Sequence, residues 1–140
     1  MTDVLPLSAL IVGEHGSIAV AAVLNQLGAT LIEHAENGAA ALVLMRDRSY
    51  DLIISDWAME PVNGLQLLKF VRAEPGFSRV RFILACPRGN RAAAVAIKGA
   101  GADGVLVEPS SPEMIRKTLL EVLQPNSIAD RERATTRTRP

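Results

Sequence analysis

The sequence predicts a single-domain α/β fold, a doubly wound five-stranded parallel sheet, and three observations carry that prediction. Five short apolar runs recur along the 140 residues, longer segments with helical spacing separate them, and residues suited to capping stand where the helices should begin. The runs Ala9 to Val12, Thr30 to Glu33, Leu52 to Ser55, Arg81 to Ala85 and Val105 to Val107 read as strands buried on both faces.

Taken in order, the first strand leads through Gly13-Glu14-His15-Gly16 to Ser17, a candidate cap for a helix bearing Val20, Leu24 and Leu27. Asn37 caps a second helix with Ala40, Ala41 and Leu44, and Asn63 a third with Leu65, Leu68 and Val71. Asn90 opens an alanine-rich fourth helix around Ala92 to Ala96. Its small side chains suit close packing as well as a docking surface shared with Val105 and the last helix. Ser111-Pro112 places a cap before a first-turn proline, ahead of Ile115, Leu119 and Val122. Parallel strands joined this way need crossovers, which are right-handed and cover both faces, so the layout is flavodoxin-like. The pattern stops at Gln124. Residues 125–140 hold little that could be buried, and a disordered tail is expected there, its Arg131, Arg133, Arg137 and Arg139 solvated or touching an acidic partner.

Composition narrows the function. Lys plus Arg equals Asp plus Glu at 15 each, so no overall field draws the chain to nucleic acid or to an anionic membrane, and a protein partner is expected. Cys86 is the only cysteine, which excludes an internal disulfide and a cysteine-based metal cluster and suits a reducing cytosol. No basic segment leading into an apolar run opens the chain, and no apolar stretch approaches the roughly 20 residues that span a bilayer, so a cytoplasmic protein is expected.

In an open parallel sheet, ligands gather beyond the carboxyl ends of the strands. The loops expected there carry Gly13-Glu14-His15-Gly16, Asp56-Trp57-Ala58-Met59, Cys86-Pro87-Arg88 and Glu108-Pro109-Ser110, so Glu14 and Asp56 should meet. By position alone Asp56 could be a solvent-facing residue at a strand end, and Glu14 a plain loop carboxylate. His15 reads better as a solvated loop residue than as a ligand. Cys86 reads as a small filler, with only Arg88 nearby to lower its pKa. A phosphate-cradling loop at Gly13 to Gly16, binding a flavin or nucleotide, lacks the full G-x-G-x-x-G spacing, and Glu14 would repel the phosphate.

From Leu7 to Leu123 the chain resembles the CheY-like receiver domains of response regulators. Tyr50 to Met59 followed by Asn63-Gly64-Leu65 is similar to their phosphoacceptor strand, loop and third helix, and Gly101 to Pro109 to their fifth strand. The resemblance implies strand order 2-1-3-4-5, a receiver domain over residues 1–124, and Asp56 as an acceptor that takes phosphate from a sensor histidine kinase or phosphotransfer protein. It implies a cis Glu108-Pro109 bond, and Mg2+ held by Glu14, Asp56 and the backbone carbonyl of Ala58, weakly because a carboxylate is missing. Signalling would follow by docking on a downstream protein, without enzymatic turnover.

Four positions depart from the family pattern. Gly13 stands where the first of two adjacent acids is usual. Cys86 replaces the phosphoryl-bonding hydroxyl, Val105 the coupling aromatic ring, and Glu108 the phosphate-pairing lysine. At about 5 Å and an effective dielectric of about 20, each unit charge is worth roughly 3 kcal/mol, so Glu108 should weaken the site unless it turns to solvent. These departures support the alternative of a pseudo-receiver that keeps the fold and signals by binding alone.

Overall fold

The computed structural model describes residues 7–13 and 17–124, with Ser17 described by its backbone only. Within them strand and helix alternate: β1 (Ser8–Val12), α1 (Ser17–Gln26), β2 (Leu31–Ala35), α2 (Gly38–Asp47), β3 (Leu52–Ser55), α3 (Gly64–Ala73), β4 (Arg81–Pro87), α4 (Arg91–Gly99), β5 (Gly104–Glu108) and α5 (Pro112–Leu123). The strands form one parallel sheet in the order β2-β1-β3-β4-β5. Fold class and strand order are those the sequence predicts.

Successive side chains of a strand face opposite ways, and the apolar runs therefore feed two cores. Leu10, Val12, Ile53, Phe82 and Leu84 pack with Ala41 and Met45 of α2, Leu67, Leu68 and Val71 of α3, and Ala93 and Ile97 of α4. Ala9, Ile11, Leu52, Ile54, Ile83 and Leu106 pack on the other face with Val20, Val23 and Leu24 of α1 and Ile115, Leu119 and Val122 of α5. Phe82, Leu10, Leu24, Leu52 and Ile53 lose all contact with water. Burying each contributes about 2 kcal/mol, which offsets the ordering of the chain.

The helix starts follow from their caps. Asn37 Oδ1 accepts from Ala40 N at 2.9 Å, Asn90 Oδ1 from Ala93 N at 2.9 Å and Ser111 Oγ from Met114 N at 3.1 Å. At α3, Asn63 Oδ1 accepts from Gln66 N at 2.8 Å while Asn63 N donates to Gln66 Oε1 at 2.9 Å, a reciprocal capping box. Ser17 is itself the first residue of α1, and its side chain lies outside the described residues.

Where the elements differ from expectation, tertiary pairing explains it. β2 ends at Ala35 rather than Glu33 because Val12 of β1 pairs with Ala35. β4 runs on through Cys86 to Pro87 and β5 through Glu108, since Cys86 pairs with Val107 and Pro87 with Glu108. These residues therefore end the strands instead of following them. On α2 the buried stripe is Gly38, Ala41 and Met45, with Ala40 and Leu44 half-buried, so the helix is rotated from the expected face. The tail expected at residues 125–140 lies outside the described residues.

A polar clasp closes the amino-terminal end of the sheet. Arg72, near the end of α3, donates to the carbonyls of Gly101 (2.9 Å), Ser78 (3.1 Å) and Val80 (2.6 Å), and its Nη2 meets Asp103 Oδ2 at 2.9 Å. The same Asp103 oxygen accepts from Phe82 N at 2.8 Å, which joins α3, β4 and the α4–β5 turn at one buried carboxylate.

Candidate functional site

At the carboxyl rim, Asp56 follows β3 directly, and its N–H donates to the Val12 carbonyl at 3.0 Å, continuing the β1–β3 ladder by one residue. Only 6% of Asp56 is exposed, which overturns the reading of an ordinary solvent-facing acid. A carboxylate taken this far from water needs fixed polar surroundings, and such sites are where function concentrates.

Two glycines make the seat. Gly13 has φ +102°, and a Cβ there would lie 2.6 Å from Asp56 Cγ and 2.8 Å from its Cβ. The bare Cα of Gly13 thus leaves room for the Asp56 carboxyl group, beyond simply removing an acid. Gly13 is held by its N–H to the Ala35 carbonyl at 2.8 Å. On the other side, a Cβ on Gly64 would run into the carbonyl oxygen of Asp56 and Cδ1 of Leu84, so α3 begins hard against the Asp56 backbone. Gly64 N also donates to the Trp57 carbonyl at 2.9 Å, and Ser55 Oγ to the Asp56 carbonyl at 3.0 Å. In the loop between, Trp57 and Met59 are half-buried and Ala58 is exposed.

The expected metal ligand Glu14, with His15, lies outside the described residues. Asp56 and the Ala58 backbone are described, and among the described residues no three His, Cys, Asp or Glu side chains gather into a metal cluster. Carboxylate and carbonyl oxygens are nonetheless the donors Mg2+ takes, and it commonly binds through one or two carboxylates completed by water and substrate phosphate. The donor set present fits that ion.

The degenerate positions cluster on β4 and β5. Cys86 is buried, its thiol lies 3.5 Å from the Pro87 carbonyl and 3.6 Å from that of Asn90, and burial pushes its pKa up, so it is a protonated filler. Val105 is half-buried against the α2–α4 core. Glu108 ends β5 half-buried, so it does not turn fully to solvent, and Glu108-Pro109 is cis. Glu60-Pro61 is also cis, which the sequence reading did not anticipate.

Arg88 ties two of the rim turns together. Its backbone N–H donates to the Glu108 carbonyl at 3.0 Å and its Nη2 to the Pro109 carbonyl at 2.8 Å, so it bridges the β4–α4 and β5–α5 turns. In the sequence its only signal is a cation just past the fourth strand. A cleft of about 930 Å³ opens at the opposite end of the sheet, lined in part by Arg72, Phe77, Arg81 and Asp103. It lies away from Asp56, and the basic Arg72 and Lys98 there belong to the last turns of α3 and α4, where cations complement the helix dipoles.

Fold and rim together define a class, the CheY-like α/β signalling modules. The chain belongs to the response regulator receiver domain family, whose model matches residues 10–120. A chemotaxis protein CheY homolog of Campylobacter jejuni is 32% identical over 101 residues, covering 71% of this chain and 78% of that protein. The structure of chemotaxis response regulator CheY4 of Vibrio cholerae superposes with a TM-score of 0.76 at 30% identity, covering 85% of this chain and 100% of that one. The receiver domain of a signal transduction histidine kinase from Syntrophus aciditrophicus gives 0.69 at 25% identity, covering 87% and 96%. Among the described residues, no helix is long and apolar enough to cross a membrane.

Proposed function

We propose that the chain is a phosphoacceptor receiver: Asp56 takes a phosphoryl group from a phosphohistidine on a sensor kinase or phosphotransfer protein, and the phosphorylated domain docks on a downstream protein in the cytoplasm. The burial of Asp56 against Gly13, beyond the third strand of a receiver fold, carries this reading. An Asp56 carboxylate oxygen attacks phosphorus, the P–N bond breaks, the imidazole leaves and takes up a proton, and an acyl phosphate remains on Asp56. Gly64 and the ladder bond to Val12 fix the Asp56 backbone, so the carboxylate is held before the donor arrives. Mg2+ held by Asp56, Glu14 and the Ala58 carbonyl would offset negative charge on the phosphoryl oxygens. In this reading the receiver spans residues 1–124, and the family model matches 10–120 of it.

The test is intact mass after incubation with a small acyl phosphate and Mg2+. One phosphoryl group should appear on the wild type and none on Asp56→Asn; an unmodified wild type would refute the proposal. The half-buried Glu108, together with Gly13 and Cys86, favours a second reading, a pseudo-receiver that binds partners unphosphorylated. The same experiment separates the two. A flavin or nucleotide carrier is set aside on the family match.

A further inference from the structure

A phosphoryl group on Asp56 brings negative charge to a buried carboxylate, and the residue that would pair with it at position 108 is an acid. Mg2+ would offset only part of that charge, which leaves a place for a second cation on the same rim. Across the rim the order is β3, β4, β5, with Asp56 past the first, Arg88 past the second and Glu108 ending the third. Neighbouring strands lie about 4.8 Å apart, so the backbone of Arg88 is one strand away from Asp56 laterally where that of residue 108 is two, while its guanidinium rests at the Pro109 carbonyl past β5.

We propose that Arg88, tied across the β4–α4 and β5–α5 turns, is the cation that pairs with the phosphoryl group on Asp56 in place of the side chain at position 108. The inference rests on Asp56 being the acceptor. Arg88 is exposed, so its charge stays solvated until the phosphoryl group arrives, and a guanidinium offers five N–H donors in a planar fork. One of these is engaged by the Pro109 carbonyl at 2.8 Å. That bond anchors the arginine and sets it beside Glu108, whose carbonyl already accepts the Arg88 N–H. Pairing with the phosphoryl group would therefore pull on the turn leading into α5. This gives a route from Asp56 to β5 and α5 that needs neither a hydroxyl at position 86 nor a ring at position 105.

The experiment compares the wild type, Arg88→Gln, Arg88→Lys and the double variant Arg88→Gln/Glu108→Lys, each as the full chain with one small acyl phosphate and Mg2+. The phosphorylation rate is read by intact mass. Glutamine removes the charge and, being shorter, the Nη2 bond to the Pro109 carbonyl as well, whereas lysine loses that bond but keeps the charge, so the contrast between the two separates charge from a purely structural tie. Arg88→Gln should slow phosphorylation by about tenfold or more, the scale of one charge-assisted contact, while Arg88→Lys keeps most of the rate. A lysine at position 108 should recover the rate lost in Arg88→Gln. If the wild type is phosphorylated and Arg88→Gln matches it, or if Lys and Gln slow it equally, Arg88 is not the cation. A wild type that takes no phosphate removes the proposed function, and this inference falls with it.

Discussion

Tyr50, the only tyrosine, shows how one buried side chain writes itself into the pH response. It precedes β3 with 8% of its surface exposed, and its hydroxyl donates to Glu33 Oε1 on β2, while Arg48 Nη1 meets Glu33 Oε2 at 3.4 Å. Burial first, then the Glu33 hydrogen bond, pushes its pKa from 10.0 up to about 12. The fold therefore prefers the neutral phenol, so this contribution to stability is complete below pH 10 and is lost as pH rises from 10 to about 12. Absorbance of the phenolate should show a midpoint well above that of the unfolded chain, with thermal stability falling across the same window. A midpoint near 10 in the folded protein would remove the claim. Residues of this kind were not legible in the sequence. Tyr50 was read as the start of a motif, but its partner lies 17 residues back, on a strand whose register is set by β1. The place of Asp56 at the carboxyl end of β3 is legible because its local context, strand before and Asn63-Gly64 after, is sequential. The contact of Gly13 with Asp56 joins residues on different strands, and no spacing in one sequence reports it.

At the scale of elements, period and caps sufficed for existence and order, and failed at ends. β4 and β5 lengthen each other through Cys86↔Val107 and Pro87↔Glu108, a pairing that local propensity does not contain. The α2 stripe was misplaced because Met45, one position past the chosen Leu44, takes the buried place. Caps were read correctly where the donor lies within one turn, as at Asn37, Asn63 and Asn90. Asn63 makes the strongest case for energetics, since its two reciprocal bonds fix the first turn of the helix that abuts Asp56. Asn63→Ala should cost about 1 kcal/mol in urea unfolding. It should also slow phosphorylation of Asp56, because Gly64 would no longer be held in register against it. An Asn63→Ala protein as stable as the wild type would mean that the capping box is idle.

Across the described residues, the candidate site and the polar anchorage sit at opposite ends of one sheet. The rim that bears Asp56 is built from glycines and loops, whereas the other end is closed by Arg72 and Asp103, whose carboxylate is 2% exposed. Removing that carboxylate strands Phe82 N and leaves a largely buried guanidinium without its countercharge, and such losses typically cost about 3–5 kcal/mol. Asp103→Ala should lower the unfolding free energy by about that amount. Loss of under about 1 kcal/mol would show that water replaces the carboxylate there.

The bare Cα of Gly13 also constrains the changes open to this protein. Any side chain at that position meets the Asp56 carboxyl group, and the backbone there, at φ +102°, suits glycine alone. An acid at position 13 therefore needs a new backbone turn after β1 and a new resting place for Asp56 together. The other rim positions are tied differently: Cys86 is buried in the core, and Arg88 is bonded to the carbonyls of Glu108 and Pro109. Gly13 therefore ties the course of the chain after β1 to the resting place of Asp56, so that neither can change alone.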